Sequence, residues 1–106
     1  MNDQAMRLGT VMLKLQEWYQ AQCNGDWEHS FGVKIDTLDN PGWVVSIDLE
    51  ETSWEGTVNP LKRRENGDAD WMQYEFADAK FTGAGGIGNL AEIVEAFFEV
   101  ITAVAP

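Results

Sequence analysis

Glu28-His29-Ser30-Phe31-Gly32-Val33-Lys34-Ile35-Asp36-Thr37, then Leu38-Asp39-Asn40-Pro41-Gly42, then Trp43-Val44-Val45-Ser46-Ile47-Asp48-Leu49 is the stretch whose reading decides the fold. In its first part His29, Phe31, Val33 and Ile35 alternate with Glu28, Ser30, Lys34 and Asp36. In its last part Trp43, Val45, Ile47 and Leu49 alternate with Val44, Ser46 and Asp48. A period of two marks a strand with one face buried and one in water. Between the runs, Pro41 presets φ for the second position of a turn and Gly42 suits the positive φ of the third. The stretch therefore predicts two antiparallel strands joined as a hairpin. The alternation also puts His29 on the inner face beside Phe31, where a structural, hydrogen-bonded histidine is expected.

Upstream the period changes. Leu8, Val11, Met12, Leu15, Trp18, Tyr19 and Cys23 recur at intervals of three and four, one face of an amphipathic helix over residues 3–23. Asn24-Gly25 is its stop, because both residues tolerate the left-handed conformation. Downstream, residues 53–59 alternate again (Trp54, Gly56, Val58 against Ser53, Glu55, Thr57) and read as a third strand, followed by a polar, solvated loop over residues 60–70. Residues 71–76 form a fourth strand, with Met72, Tyr74 and Phe76 inward, Trp71, Gln73 and Glu75 outward, and Phe81 extending or following it. Asn89 with Glu92 resembles a capping box. It opens a helix whose stripe is Leu90, Ile93, Val94, Phe97, Ile101 and Val104. The expected architecture is one α+β domain over residues 1–106: a four-stranded antiparallel sheet with the N-terminal and C-terminal helices packed on one face.

The chain has 106 residues, 44% hydrophobic and 24% charged, enough for a single packed core and unlike a disordered tail. No apolar run approaches the roughly 20 residues a membrane span needs, and Met1-Asn2-Asp3-Gln4 lacks the pattern of a signal peptide, so a cytoplasmic location without membrane contact is expected. The net charge of −11 is uneven: residues 1–23 balance, residues 24–59 carry −7, and residues 60–106 carry −4. Such a field repels phosphate backbones, which argues against direct nucleic-acid binding, and it steers a basic partner inward.

Few residues suggest chemistry. Gly83-Ala84-Gly85-Gly86-Ile87-Gly88 matches G-x-G-x-x-G ahead of a helix, but no βαβ unit surrounds it and no Gly-Lys-Ser/Thr accompanies it. A flexible connector is the simpler reading, and a small nucleotide- or ligand-binding domain using Gly83 to Gly88 is the alternative. Lys62-Arg63-Arg64 is short and flanked by acids. The single histidine and the single cysteine, Cys23, give no metal-ligand spacing and no nucleophile–base pair, so neither a catalytic residue nor a cofactor or metal is expected. Of five tryptophans, Trp18, Trp43 and Trp54 fall on apolar faces, whereas Trp71 on the outer face reads either as an interface anchor or as lateral packing at a sheet edge.

Leu15-Gln16-Glu17-Trp18-Tyr19, Cys23-Asn24-Gly25-Asp26-Trp27-Glu28-His29, Thr37-Leu38-Asp39-Asn40-Pro41-Gly42-Trp43 and Lys80-Phe81-Thr82-Gly83-Ala84-Gly85-Gly86 together resemble the immunity protein 53 family of bacterial polymorphic toxin systems. The resemblance implies a non-enzymatic cytosolic protein that binds and neutralises a toxin encoded beside it. It implies no particular binding residues, so these come from the pattern of faces. With both helices on one side of the sheet, Lys34, Asp36, Ser46, Asp48, Glu55, Thr57, Trp71, Gln73 and Glu75 point outward, with Glu50 at a strand end. The expected docking residues are Asp36, Asp48, Glu50, Glu55, Trp71 and Glu75, facing a basic toxin domain such as a nuclease and occluding its active site.

Overall fold

The computed structural model describes residues 3–104. Met1, Asn2, Ala105 and Pro106, which carry part of the leader reading and the chain end, lie outside them. The elements run α1 (Asp3–Gln22), α2 (Trp27–Ser30), β1 (Val33–Leu38), β2 (Gly42–Asp48), β3 (Asn59–Glu65), β4 (Trp71–Ala77), β5 (Lys80–Gly85) and α3 (Leu90–Ala103). The fold is α+β, but the antiparallel sheet has five strands where four were expected, in the order β1-β2-β5-β4-β3.

α1 ends where the sequence places its stop, with Gly25 at φ +91°. The segment after it is helical, not extended. The Asn24 side chain accepts the N–H groups of Asp26 and Trp27 at 3.0 and 2.9 Å, and Glu28 accepts those of Asn24 and Gly25 at 2.9 and 2.8 Å. These side-chain bonds satisfy the free donors of a helical turn and so nucleate α2. Trp27 and Phe31, four residues apart, then meet at 6.2 Å between ring centroids. His29 is consequently exposed on α2, and its expected place on the inner face of a strand is corrected.

The hairpin forms as expected, with Leu38 opposite Gly42, Ile35 opposite Val45 and Val33 opposite Ile47. Its turn differs in detail. The Asn40-Pro41 peptide is cis, and Gly42 is the first residue of β2. Glycine is needed there because a Cβ would collide with the carbonyl oxygen of Gly85 on the neighbouring strand.

Residues 53–59 do not form the expected strand. Thr52, Glu55 and Thr57 donate their N–H groups to Leu49, Thr52 and Trp54, a chain of tight turns, and the Trp54 indole donates to the Ile101 carbonyl at 3.2 Å. Trp54 thus turns towards the helices while Val58 stays 76% exposed, so the apparent alternation is not that of a sheet. The expected loop over residues 60–70 instead contains β3, an edge strand with little apolar signal because no helix covers it. β5, where the sequence pattern marks only Phe81, uses glycines as inward residues.

α3 lies across the centre of the sheet and α1 packs beside it, joined by the Arg7–Glu95 ion pair. Val45, Ile47, Phe76, Phe81, Ile93, Val94 and Phe97 are fully buried between the layers. Gly83 lets α3 approach: a Cβ there would lie 2.5 Å from Ile93 Cγ2 and 2.9 Å from Phe81 Cζ. Beyond this layer Trp18 meets Trp27, Trp54 and Phe97 at 5.3 to 6.1 Å, which anchors α1 and the turns after β2 to the core.

Candidate interaction surface

The register fixes the two faces. Ile47, Phe81 and Phe76 stand opposite one another across β2, β5 and β4, and so do Val45, Gly83 and Tyr74; these face the helices. The alternate positions face away: Lys34 and Asp36 on β1, Val44, Ser46 and Asp48 on β2, Lys80, Thr82 and Ala84 on β5, Trp71, Gln73 and Glu75 on β4, and Arg63 and Glu65 on β3. Among the described residues no helix packs on this second face. Its middle, Val44, Ser46, Thr82 and Ala84, carries short side chains, and charges and Trp71 surround it. It is a flat field with a polar rim.

Six residues were expected to dock a partner, and the structure brings four of them onto this face. Glu75 is exposed and Trp71 half-buried, with the Arg63 guanidinium 5.2 Å from the Trp71 ring centroid, a cation–π contact. Asp36 sits towards the β1 edge and accepts the Thr37 N–H at 2.8 Å. Asp48 has a structural duty as well: it accepts the Gly32 N–H at 2.9 Å and lies 3.5 Å from the Lys80 ammonium. Glu50 is just beyond β2, at the end of the same face, where a pocket of about 280 Å³ is lined by Ser30, Phe31, Lys34, Ser46, Asp48, Glu50 and Lys80. Burial, and next the Asp48 charge, push the Glu50 carboxyl above its ordinary value. Glu55 and Thr57 are not outward strand positions, because their segment is turns. The Glu55 carboxylate instead accepts the Glu51 N–H at 2.8 Å, closing a turn in which Glu51 has φ +62°, and Thr57 is buried.

The acidity is therefore an end of the sheet more than a face. The segment before β1, the turns after β2 and the β4–β5 hairpin converge there, tied by Trp27 Nε1 to the Glu50 carbonyl at 2.8 Å and the Leu49 N–H to the Ala79 carbonyl at 2.8 Å. They bring Asp48, Glu50, Glu51 and Glu55 together around Lys80, and the converging segments also carry Asp26, Glu28 and Asp78. On the open face proper, Lys34, Lys80 and Arg63 nearly match Asp36, Asp48, Glu75 and Glu65. Asp78 was missed because it lies outside the acidic stretch of residues 24–59, which holds Asp26, Glu28, Asp48, Glu50, Glu51 and Glu55. Lys80, Thr82 and Ala84 were missed because Phe81, Gly83 and Gly85, their inward neighbours, are too small on average to read as a strand.

The opposite end is electrostatically closed. Arg64 pairs with Asp70 at 2.8 Å and Glu92 at 2.7 Å, and the Asn89 amide donates to both carboxylates at 2.9 and 3.0 Å. Hydrogen bonding to Arg64 holds the carboxyls of Asp70 and Glu92 below their ordinary range. Asn89 makes no side-chain cap, so the expected capping box is replaced by this cluster. Two carboxylates thus stand at the start of α3, where a phosphate would have to bind. A Cβ at Gly86 would lie 2.5 Å from the Ala69 carbonyl oxygen and 2.8 Å from Asn89 Oδ1. Gly83, Gly85 and Gly86 serve close packing of strand, hairpin and helix.

A helix-covered sheet with a carboxylate-rich end defines a small α+β domain in which, among the described residues, neither long helix covers the second sheet face. Among the described residues no helix is long and apolar enough to cross a membrane. The family model described as immunity protein 53 matches residues 12–102, and the chain belongs to that family. No curated protein and no solved structure matches it.

Proposed function

We propose that this protein binds a bacterial toxin domain and neutralises it by occlusion, with the open sheet face and its acidic end as the docking surface. The observation that carries the reading is that the two long helices, α1 and α3, leave this face bare while Trp71 and Glu75 stand on it and Glu50 beside it. The steps are physical. The carboxylates at the end of the sheet attract a basic surface and raise the encounter rate. The short side chains of Val44, Ser46, Thr82 and Ala84 then allow close apposition, and Trp71 supplies an apolar anchor with a polar rim. The toxin is a basic domain, a nuclease being one such class, and its active site or substrate groove is covered. No chemistry is required of the protein.

Membership of the immunity protein 53 family supports the partner class. Glu50 supports the direction of charge, because a carboxylate that is costly to ionise in the free protein is stabilised by an incoming cation. Co-expression with the toxin encoded by the adjacent gene tests the reading. The Glu50→Lys/Glu75→Lys variant changes two carboxylates that make no ion pair among the described residues. It should fold normally, as read by thermal unfolding, and fail to protect. Full protection by the folded variant would show that the toxin docks elsewhere.

A further inference from the structure

The two edges of the sheet are built differently. β3 begins with Asn59-Pro60, its register with β4 shifts between Asn59 and Lys62, and its Arg63 and Arg64 are held by Glu65, Gln73, Asp70 and Glu92. Proline, a bulge and charged side chains are devices that keep another strand from pairing. β1 has neither proline nor bulge, and its two charges, Lys34 and Asp36, are of opposite sign. It is six residues long, in unbroken register with β2, with Lys34, Ile35, Asp36 and Thr37 all exposed. Among the described residues neither Lys34 nor Asp36 takes part in an ion pair.

Hydrogen-bond direction shows which groups β1 offers. The Asp48 N–H donates to the Gly32 carbonyl at 3.1 Å, which makes Gly32 and Asp48 a hydrogen-bonded pair. Such pairs alternate along an antiparallel ladder. Lys34, Asp36 and Leu38 therefore turn their N–H and C=O groups to β2, and Val33, Ile35 and Thr37 turn theirs to the free edge, where the Thr37 N–H is held by the Asp36 carboxylate at 2.8 Å.

We propose that the protein forms a two-fold dimer by pairing β1 antiparallel with β1 of a second copy, centred on Ile35. In that register Ile35 exchanges both backbone bonds with its counterpart, and Val33 does so with Thr37 once the Thr37 N–H leaves the Asp36 carboxylate, which turns to Lys34 of the other copy. Lys34 of each copy then lies directly opposite Asp36 of the other, in the non-hydrogen-bonded positions where side chains come closest. Centring on Lys34 or on Asp36 instead sets like charges opposite each other, which is destabilising. The sequence Lys34-Ile35-Asp36 is thus self-complementary in one register only among these. The two-fold axis is perpendicular to the sheet, so a continuous ten-stranded sheet results, with both helix layers on one side and both open faces on the other. The inference is independent of what docks on that face.

Sedimentation equilibrium over a dilution series, with four variants, tests the pairing. The wild type should dimerise. Ile35→Pro removes an outward N–H that the β1–β2 ladder does not use, a position where an edge strand tolerates proline; it should be monomeric while still unfolding cooperatively. Lys34→Asp and Asp36→Lys should each weaken the dimer roughly tenfold or more, and the double swap Lys34→Asp/Asp36→Lys should restore it. If Ile35→Pro fails to fold, the swap series decides alone. A wild type that is monomeric throughout, with the edge left for a strand of another protein, overturns the proposal. So does a dimer that survives Ile35→Pro, or a double swap no tighter than the single reversals.

Discussion

The two faces of the sheet come from the same strands and differ in almost every physical respect. On the helix side, neighbouring positions of β2, β5 and β4 carry Ile47, Phe81 and Phe76, all fully buried, and space is so short that Gly83 and Gly85 are needed for α3 to approach. On the other side, the adjacent row carries Ser46, Thr82 and Glu75, none of them buried. The first face is specified by volume and the second by charge and by what it leaves uncovered. A substitution should therefore act on stability or on partner binding according to the parity of its position, even between adjacent residues.

The sharpest way to break that contrast is to change adjacent residues of β5. Gly83→Ala puts a Cβ 2.5 Å from Ile93 Cγ2 and should destabilise by about 3 kcal/mol, the upper part of the usual range for overpacking. Ala84→Ser, one position on, should change stability by less than about 0.5 kcal/mol. Urea unfolding of the pair measures both, and similar losses would mean that the open face is packed after all.

A smaller effect of opposite sign is expected at the acidic end. Asp78 and Ala79, at φ +54° and +58°, form the two-residue β4–β5 hairpin with both residues left-handed, the arrangement for which Asn-Gly or Asp-Gly is preferred. Alanine is strained there, so Ala79→Gly should raise stability by up to about 1 kcal/mol, seen as a higher urea midpoint. An unchanged or lower midpoint would remove strain from the description of this end.

The smallest effect separates the two ends by pH. Arg64 depresses the carboxyls of Asp70 and Glu92 in the folded state. Their contribution is accordingly present above the unfolded carboxylate pKa of about 4 and is lost as pH falls through the lower folded values. Thermal unfolding of wild type and Arg64→Ala should show a modest gap at neutral pH that closes in acid. A gap that persists in strong acid would assign Arg64 a packing role instead.

Much of this contrast is readable in the sequence wherever one period governs. The hairpin of β1 and β2, the strand at β4 and both long helices follow from alternation or from three-and-four spacing, and with them the outward placement of Asp36, Asp48, Trp71 and Glu75. Failures come where a local interaction overrides the period. The Asn24 and Glu28 side chains wind Trp27–Ser30 into a helical turn and expose His29. The Trp54 indole reaches Ile101 and converts an apparent strand into turns, taking Glu55 and Thr57 with it. β3 and β5 escape notice for opposite reasons: an uncovered edge strand needs no apolar face, and a strand packed tightly under a helix replaces large apolar residues with glycine. The acidic end is legible only as an acidic stretch over residues 24–59; that it gathers at one end of the sheet depends on three connections meeting there, and the sequence does not state the strand order.

Titration calorimetry between the purified toxin domain and this protein tests the central claim most directly. Glu50→Lys/Glu75→Lys should weaken affinity roughly 100-fold, with the loss growing as salt is lowered. Lys14→Glu, an exposed reversal in the groove between α1 and α3, on the helix side of the sheet, should bind like the wild type or slightly more tightly. Equal affinity for wild type and the folded double variant, or a large loss from Lys14→Glu alone, would contradict docking on the open face and place the toxin on the helices.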